Sequence, residues 1–343
     1  MRTRPIPRLL ILALVAAACG GGEADTPEAA ELRYTLEPGA GLEYEVTLDQ
    51  HIDVTAVGDP SLLGEEVPVD MSVDVSGVTT LTHTVAEGSA PGTYEVTIRG
   101  DFSDLSFDGT VDGEPIDPDE LPDLAVIEPV DATIVVDEHG NVVSSGDELF
   151  SDPFATGLSN LSDLAGAALD PGRFVGPPLP DHEVAVGDVW SKTIDIPTFM
   201  DDDEITTEVV SEATGTDTVD GADVLVIETA STTSKIEMDM TELILGMFKS
   251  FSESEASEEE LAELEAIEED LRFAFTLDES TANMTTWLDP TAGRARKAER
   301  RGSGHVVVDI NVPDEAAGGM IEFRVEMSVD QLIKFRLLGD VQG

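Results

Sequence analysis

Residues 41–56 of the chain read GLEYEVTLDQHIDVTA, and nearly every second residue in this stretch is apolar. The apolar positions are Leu42, Tyr44, Val46, Leu48, Ile52, Val54 and Ala56. A period of two places these side chains on one face of a β-strand and the polar residues between them on the other face. The stretch therefore predicts one long strand with a single buried face.

The same alternation recurs in several other stretches of the chain. They include residues 71–85, 94–98, 134–136, 306–310 and 321–337. Turns rich in Gly, Pro and Asp separate them, which is typical of antiparallel sheets. The sequence thus predicts a mainly β fold, an antiparallel half-barrel or curved sheet of long strands with a few helices packed on it.

Two segments have helical spacing instead. Leucines and alanines in residues 158–168 indicate a short amphipathic helix. A longer helical insertion is predicted at about 241–272, where an apolar piece precedes a capping box at Ser257 and Glu260. The sheet is expected to resume at Phe273.

Two hairpins resemble each other in their order of strand, Asp, turn, Gly and strand. One lies in residues 134–143 and the other in residues 286–294. The domain at 32–343 could therefore consist of two related halves, 32–175 and 176–343. The alternative is chance similarity, because Asp and Gly suit any hairpin turn.

The N-terminus has the organisation of a secretory signal. Basic residues precede the apolar run LLILALV at 9–15, and three alanines precede Cys19. The run is too short to span a bilayer as a helix. The segment resembles a bacterial lipoprotein signal, although Ala16 stands where that pattern usually has Leu. The resemblance implies a signal peptide at 1–18, lipidation of Cys19, a flexible tether at 19–31, and an exported protein anchored to the extracytoplasmic face of the cell membrane. Plain secretion is the alternative.

Charge and cysteine content narrow the possible partners. The chain has 72 acidic and 18 basic residues, a formal net charge of −54. Such a field repels nucleic acid, so we expect no nucleic-acid partner. Cys19 is the only cysteine, so the fold has no disulfide bond and depends on its apolar core. We expect a monomer.

The string PLPDHEVAVGDVWS at 178–191 is the most distinctive local motif. Gly187 and Asp188 predict a turn, and Trp190 is expected to anchor the following strand in the core. The string resembles a motif of bacterial secreted lipoproteins of unknown function, in which a proline-flanked loop leads into Val-Gly-Asp-x-Trp. At the level of fold, long strands with a helical insertion are similar to envelope lipoproteins of the LolA and LppX/LprG type. That resemblance implies a lipid carrier.

Two sets of residues are candidate binding sites. Leu243, Met247, Phe248 and Phe251 could contact a hydrophobic or lipid ligand, because Met and Phe adapt to irregular apolar guests, or they could form a core-packing helix. Five of the basic residues could bind an anionic group or could compensate nearby acids. They are Arg294, Arg296, Lys297, Arg300 and Arg301.

Metal binding and catalysis have little support in the sequence. The acidic runs at 117–123 and 201–204 lack the spacing of a calcium loop, and the five histidines are scattered, so no metal or cofactor is expected. No nucleophile elbow, phosphate-binding loop or His-Glu-x-x-His motif is present, so an enzyme is not expected. The leading hypothesis is a non-catalytic lipoprotein that binds a hydrophobic ligand. Two alternatives are a structural or protein-interaction lipoprotein without a small ligand and a carboxylate-based hydrolase.

Overall fold

The computed structural model of the 343-residue chain describes residues 29–58, 70–100, 105–116, 130–145, 176–197, 204–241, 271–314 and 319–341. Cys19, the predicted helix at 158–168 and the four apolar candidates at 243–251 lie outside the described residues. Nearly all of the described chain is β-strand. The strands are β1 Ala30–Glu31, β2 Gly41–Gly58, β3 Asp70–Glu87, β4 Thr93–Gly100, β5 Ser106–Val111, β6 Glu114–Pro115, β7 Val130–Asp137, β8 Val142–Ser145, β9 Glu183–Val184, β10 Val189–Pro197, β11 Glu204–Val219, β12 Ala222–Thr233, β13 Ile236–Asp239, β14 Arg272–Leu277, β15 Ser280–Asp289, β16 Arg294–Asp314 and β17 Gly319–Val341.

One large antiparallel sheet contains all of these strands except β1 and β9, which pair with each other. Its main order is β10-β11-β12-β15-β16-β17-β2-β3-β4-β7-β8. The sheet is open, because the edge strands β10 and β8 do not pair with each other in the described part of the chain. The predicted fold class, a mainly antiparallel β protein of long strands, is confirmed.

The sheet is wider at one end than at the other. β16 pairs first with β15 and then, further along, with the shorter β14. On the other side, β3 pairs with β4 near its C-terminus and with β5 near its N-terminus. We call the end that holds β4, β7, β12 and β15 the wide end, and the end that holds β5, β13 and β14 the narrow end.

The middle of the sheet joins the two ends of the chain. β2 pairs with β17 over nearly the full length of both strands. Strands from the predicted first half lie on the β2 side of this pair, and strands from the second half lie on the β17 side. The two stretches that alternate most regularly in the sequence are therefore hydrogen-bonded neighbours.

The register aligns the apolar residues of neighbouring strands on one face, which we call the inner face. Tyr44 lies between Leu337 and Leu81, and Val54 lies between Met327 and Met71. At the wide end this face is buried in two clusters of apolar side chains. Leu36 packs against both clusters.

The string at 178–191 contributes to this core as predicted. Trp190 is buried and its indole Nε1 donates a hydrogen bond of 2.8 Å to the carbonyl oxygen of Pro178. Gly187 has a positive φ of 96°, and Asp188 accepts a hydrogen bond from the backbone N–H of Ala185. The predicted Gly-Asp turn and the core position of Trp190 are confirmed.

Residues 32–36, which we call the clip, connect the two hairpins that resemble each other. The N–H of Tyr34 donates to the carbonyl of Glu138 in the β7–β8 turn at 2.7 Å, and the N–H of Thr35 donates to the carbonyl of Gly293 in the β15–β16 turn at 2.8 Å. A Cβ atom on Gly293 would lie 2.2 Å from the Thr35 hydroxyl oxygen. Glycine is therefore required at this position for the clip backbone to approach the β15–β16 turn.

The described part of the chain contains no helix long and apolar enough to cross a membrane.

His83 gives the wide-end core a dependence on pH. Its side chain is buried beside Tyr44, with ring centroids 4.9 Å apart, and burial lowers the pKa of the imidazole to about 4. The unfolded imidazole titrates near 6.5, so the folded state binds fewer protons between about pH 6.5 and 4. The free energy of unfolding should therefore decrease as the pH falls through this window, by at most about 3 kcal/mol.

We expect His83→Phe to remove this contribution. Urea denaturation between pH 7 and 4 measures the free energy of unfolding of both proteins. As the pH falls, that of the wild type should decrease more than that of the variant. The exposed His182 supplies the control variant, His182→Phe. Equal pH profiles for the wild type and His83→Phe would contradict a neutral buried imidazole.

Candidate functional site

The inner face at the narrow end is apolar and only partly covered. Beside buried apolar residues such as Val73, Phe275 and Phe323, its strands carry apolar side chains that are neither fully buried nor fully exposed. They are Ile52, Val54, Ala56, Met71, Phe107, Val111, Phe273, Val308, Ile310, Val325 and Met327. The outer face at the same level is charged, as shown by Arg324, which donates two hydrogen bonds to Asp309. We call the inner-face set the apolar patch.

A polar strip separates the apolar patch from the wide-end core. In this strip Thr207 pairs with Thr233, and Ser211 pairs with Thr229, through hydroxyl hydrogen bonds of 3.0 and 2.9 Å. Arg300 is completely buried on the same face. Buried polar side chains of this kind normally have hydrogen-bond partners.

Within this strip, β16 has Gly302 in place of a side chain. A Cβ atom there would lie 3.6 Å from Nη2 of Arg300 and 3.7 Å from Nε2 of Gln331. Gln331 is 9% exposed, and its Nε2 has no hydrogen-bond partner among the described residues. Hydrogen-bond donors thus border the apolar patch, so the inner face combines an apolar surface with a polar margin.

The structure separates the five basic residues of the predicted anionic-group site. Arg294 and Arg296 lie together at the start of β16. Lys297 stacks over the Trp287 ring, with Nζ 4.1 Å from the centroid, and pairs with Glu299 at 2.8 Å. The other two basic residues are further along β16.

Arg300 and Arg301 follow each other and so occupy opposite faces of the sheet. Arg300 is buried on the inner face, whereas Arg301 is exposed in a polar groove of about 580 Å³ on the outer face. His51 lines the same groove, and its Nδ1 lies 2.8 Å from Oδ1 of Asp74. The five residues therefore do not form a single cluster.

A groove of about 420 Å³ at the wide end holds Arg294 and Arg296 together with Arg336 of β17. We call it the arginine groove. Asp220 and Asp340 also line it, and Arg336 contacts Asp220 at 3.2 Å while Arg294 pairs with Asp340. Sequence reasoning missed Arg336, because it lies some forty positions further along the chain and reaches the groove only through the pairing of Lys297 with Arg336.

Asp289 orients Arg296 beside this groove. Its buried carboxylate accepts hydrogen bonds from the N–H groups of Thr291 and Ala292 and from Arg296. Burial opposes ionisation of Asp289, but these hydrogen bonds outweigh it and lower the pKa of the carboxyl. Asp289 therefore stabilises the β15–β16 turn and fixes one of the arginines.

Three carboxyl groups in the described part of the chain have a displaced pKa. They are Asp239, Asp289 and Glu299, and hydrogen bonds and nearby cations lower the pKa of all three. A glycosidase-type general acid requires a raised pKa instead. The described residues contain no group of three or more His, Cys, Asp or Glu side chains arranged to hold a metal ion.

Comparison with known proteins finds neither a matching family model nor a matching curated protein. Among solved structures, the chain is similar to lipovitellin, in a structure titled for its lipid–protein interactions, with 9% identity and a TM-score of 0.34. That match covers 90% of this chain and 26% of the other, so the chain spans about a quarter of the lipovitellin chain.

Two further matches have lower scores. One is OpdQ of Pseudomonas aeruginosa, with 7% identity, a TM-score of 0.15 and coverage of 87% of this chain and 98% of the other. The second is a protein of unknown function of the DUF3598 family from Nostoc punctiforme, with 8% identity, a TM-score of 0.11 and coverage of 83% and 94%. At these scores none of the matches bears on function, which rests on the residues alone.

The role of Asp289 can be tested by Asp289→Asn, which keeps the shape of the side chain and removes its charge. We expect the free energy of unfolding at pH 7 to decrease by about 2 kcal/mol, because charge-assisted hydrogen bonds are lost. The folded-state pKa is lowered, so the stabilisation is present above about pH 4 and is lost as the pH falls below it. The deficit should therefore shrink at pH 3, as measured by urea denaturation.

Asp340→Asn is the matched control. Asp340 also pairs with an arginine, but its side chain is 67% exposed, so its loss should cost less than about 1 kcal/mol. Equal losses in the two variants would contradict a special role for Asp289.

Proposed function

We propose that the chain is a non-catalytic binding protein whose inner face holds a hydrophobic or lipid-like ligand on the apolar patch. The single observation that carries the proposal is the partly exposed apolar patch opposite a charged outer face. The N-terminal sequence adds the expectation of an exported protein anchored through lipidated Cys19.

The size of the patch suits an elongated guest. Its residues on β2 extend over about 14 Å along the strand, and the patch crosses six strands, or about 24 Å at the spacing of neighbouring strands. Contact with apolar groups is worth about 0.8 kcal/mol for each buried CH₂. A ligand with an acyl chain would therefore gain several kcal/mol from this surface.

The polar strip suggests how such a ligand would be oriented. The side-chain amide of Gln331 lies at the wide-end border of the patch, so a polar group at one end of the ligand would meet it while its apolar part lies over β2 and β17. An amphiphile satisfies both surfaces, whereas a plain hydrocarbon satisfies only one.

The test is a pair of substitutions in the apolar patch. Val54 and Met327 lie opposite each other on β2 and β17, so Val54→Asp with Met327→Asp places two charges in the middle of the proposed surface. Burying acyl carbon against them is unfavourable, and we expect at least about a ten-fold loss of affinity for a fluorescent fatty acid. Native mass spectrometry and organic extraction of the purified protein report any ligand that it carries.

Val57→Asp is the matched control, because Val57 lies on the same strand, points to the opposite face and is 56% exposed. It should bind the probe like the wild type. Circular dichroism and the unfolding temperature verify that each variant is folded. A folded double variant that retains the probe would overturn the proposal. So would a wild-type protein without ligand that does not take up fatty acid, and that result would favour a structural or interaction role.

A further inference from the structure

We infer that the arginine groove is a second binding site, which takes a phosphate group. Three arginines from two adjacent strands line it, in a chain whose formal charge is −54. Guanidinium groups bind phosphate through paired N–H donors in a fixed planar geometry. The site is distinct from the apolar patch and does not depend on it.

The carboxylates of the groove differ in how firmly they hold their arginines. Asp289 is 7% exposed at its side chain and is tied into the β15–β16 turn, so Arg296 stays in place. Asp220 and Asp340 are 48% and 67% exposed at their side chains. Exposed ion pairs contribute only about 0–1 kcal/mol, so a phosphate group can replace these two carboxylates at small cost.

Arg294 supplies an independent sign of a missing partner. Its Nε is buried and makes no hydrogen bond with the described residues, although its Nη1 pairs with Asp340. A buried N–H without an acceptor costs about 1–3 kcal/mol. A shift of this partly exposed side chain would turn Nε toward an anion in the groove, which would then provide the acceptor.

The position of the groove brings it close to the N-terminal segment. Thr35 donates to the carbonyl of Gly293, the residue directly before Arg294. The predicted tether before β1 is about ten residues long, which corresponds to a root-mean-square span of about 17–19 Å. If Cys19 is lipidated, lipid headgroups come within reach. The phosphate could thus belong to a phospholipid or to a soluble molecule, and the chemistry of the site is the same for both.

The experiment measures binding of two probes to the purified protein by calorimetry at constant ionic strength. One probe is inorganic phosphate, and the other is dihexanoyl phosphatidylglycerol below its micelle concentration. Tighter binding of the short-chain lipid identifies a headgroup site, and equal or tighter binding of inorganic phosphate identifies a site for soluble phosphate. Both results support the inference. Absence of binding by both probes overturns it.

Two kinds of variant test the assignment to the groove. Arg336→Gln, at an exposed position, should weaken binding about ten-fold because a charge-assisted hydrogen bond is lost. Arg324→Gln is the matched control, since Arg324 lies on the same strand about 40 Å away and also pairs with an aspartate. It should bind both probes like the wild type. Equal weakening in the two variants overturns the assignment.

Removal of the competing carboxylates should have the opposite effect. Asp220→Asn and Asp340→Asn should each strengthen binding about two- to five-fold, which corresponds to the worth of an exposed ion pair. A gain of affinity cannot come from a damaged fold. Weakened or unchanged binding in both variants would contradict the exchange of carboxylate for phosphate.

Discussion

The hydrogen bonds of Tyr34 and Thr35 hold the wide end of this sheet together. These two consecutive residues reach the turns of two hairpins that belong to opposite sides of the sheet. The apolar side chains around them, including Leu32 and Leu36, join the two wide-end clusters into one core. A chain with a single cysteine has no disulfide to link the two sides of the open sheet. In the described structure, this short segment and its backbone hydrogen bonds link them.

The positions of both proposed sites depend on which parts of the inner face are covered. At the wide end the inner face is filled by the clip and by the segment that carries Trp190, so only the margins of that end can bind a ligand. The arginine groove is one such margin. At the narrow end the described strands leave the same face partly uncovered, which is why the apolar patch lies there. The two proposed sites thus lie near opposite ends of strands that are about 20 residues long.

The sequence predicts the strands well and the grouping of the basic residues poorly, for physical reasons. Alternation fixes which face of each strand is buried, so the strands around Tyr44 and Phe335 and the turn at Gly187 could be found from local pattern alone. Which strands become neighbours depends on contacts between distant parts of the chain, and no local pattern encodes the pairing of Lys297 with Arg336. An irregularity of register near Trp287 further changes the directions of the basic side chains that precede Lys297. A run of basic residues that looks like one cluster therefore lies on several surfaces.

The pairing of β2 with β17 also determines when the molecule can be completed. β2 ends at Gly58, and its partner β17 begins only at Gly319. During synthesis the backbone edge of β2 that faces β17 therefore stays unpaired until the residues between the two strands have been made, and contacts of such sequence separation form slowly. Unpaired strand edges of this length associate readily with other chains. The topology therefore delays the shielding of this strand edge until the last strand arrives, whatever the stability of the finished sheet.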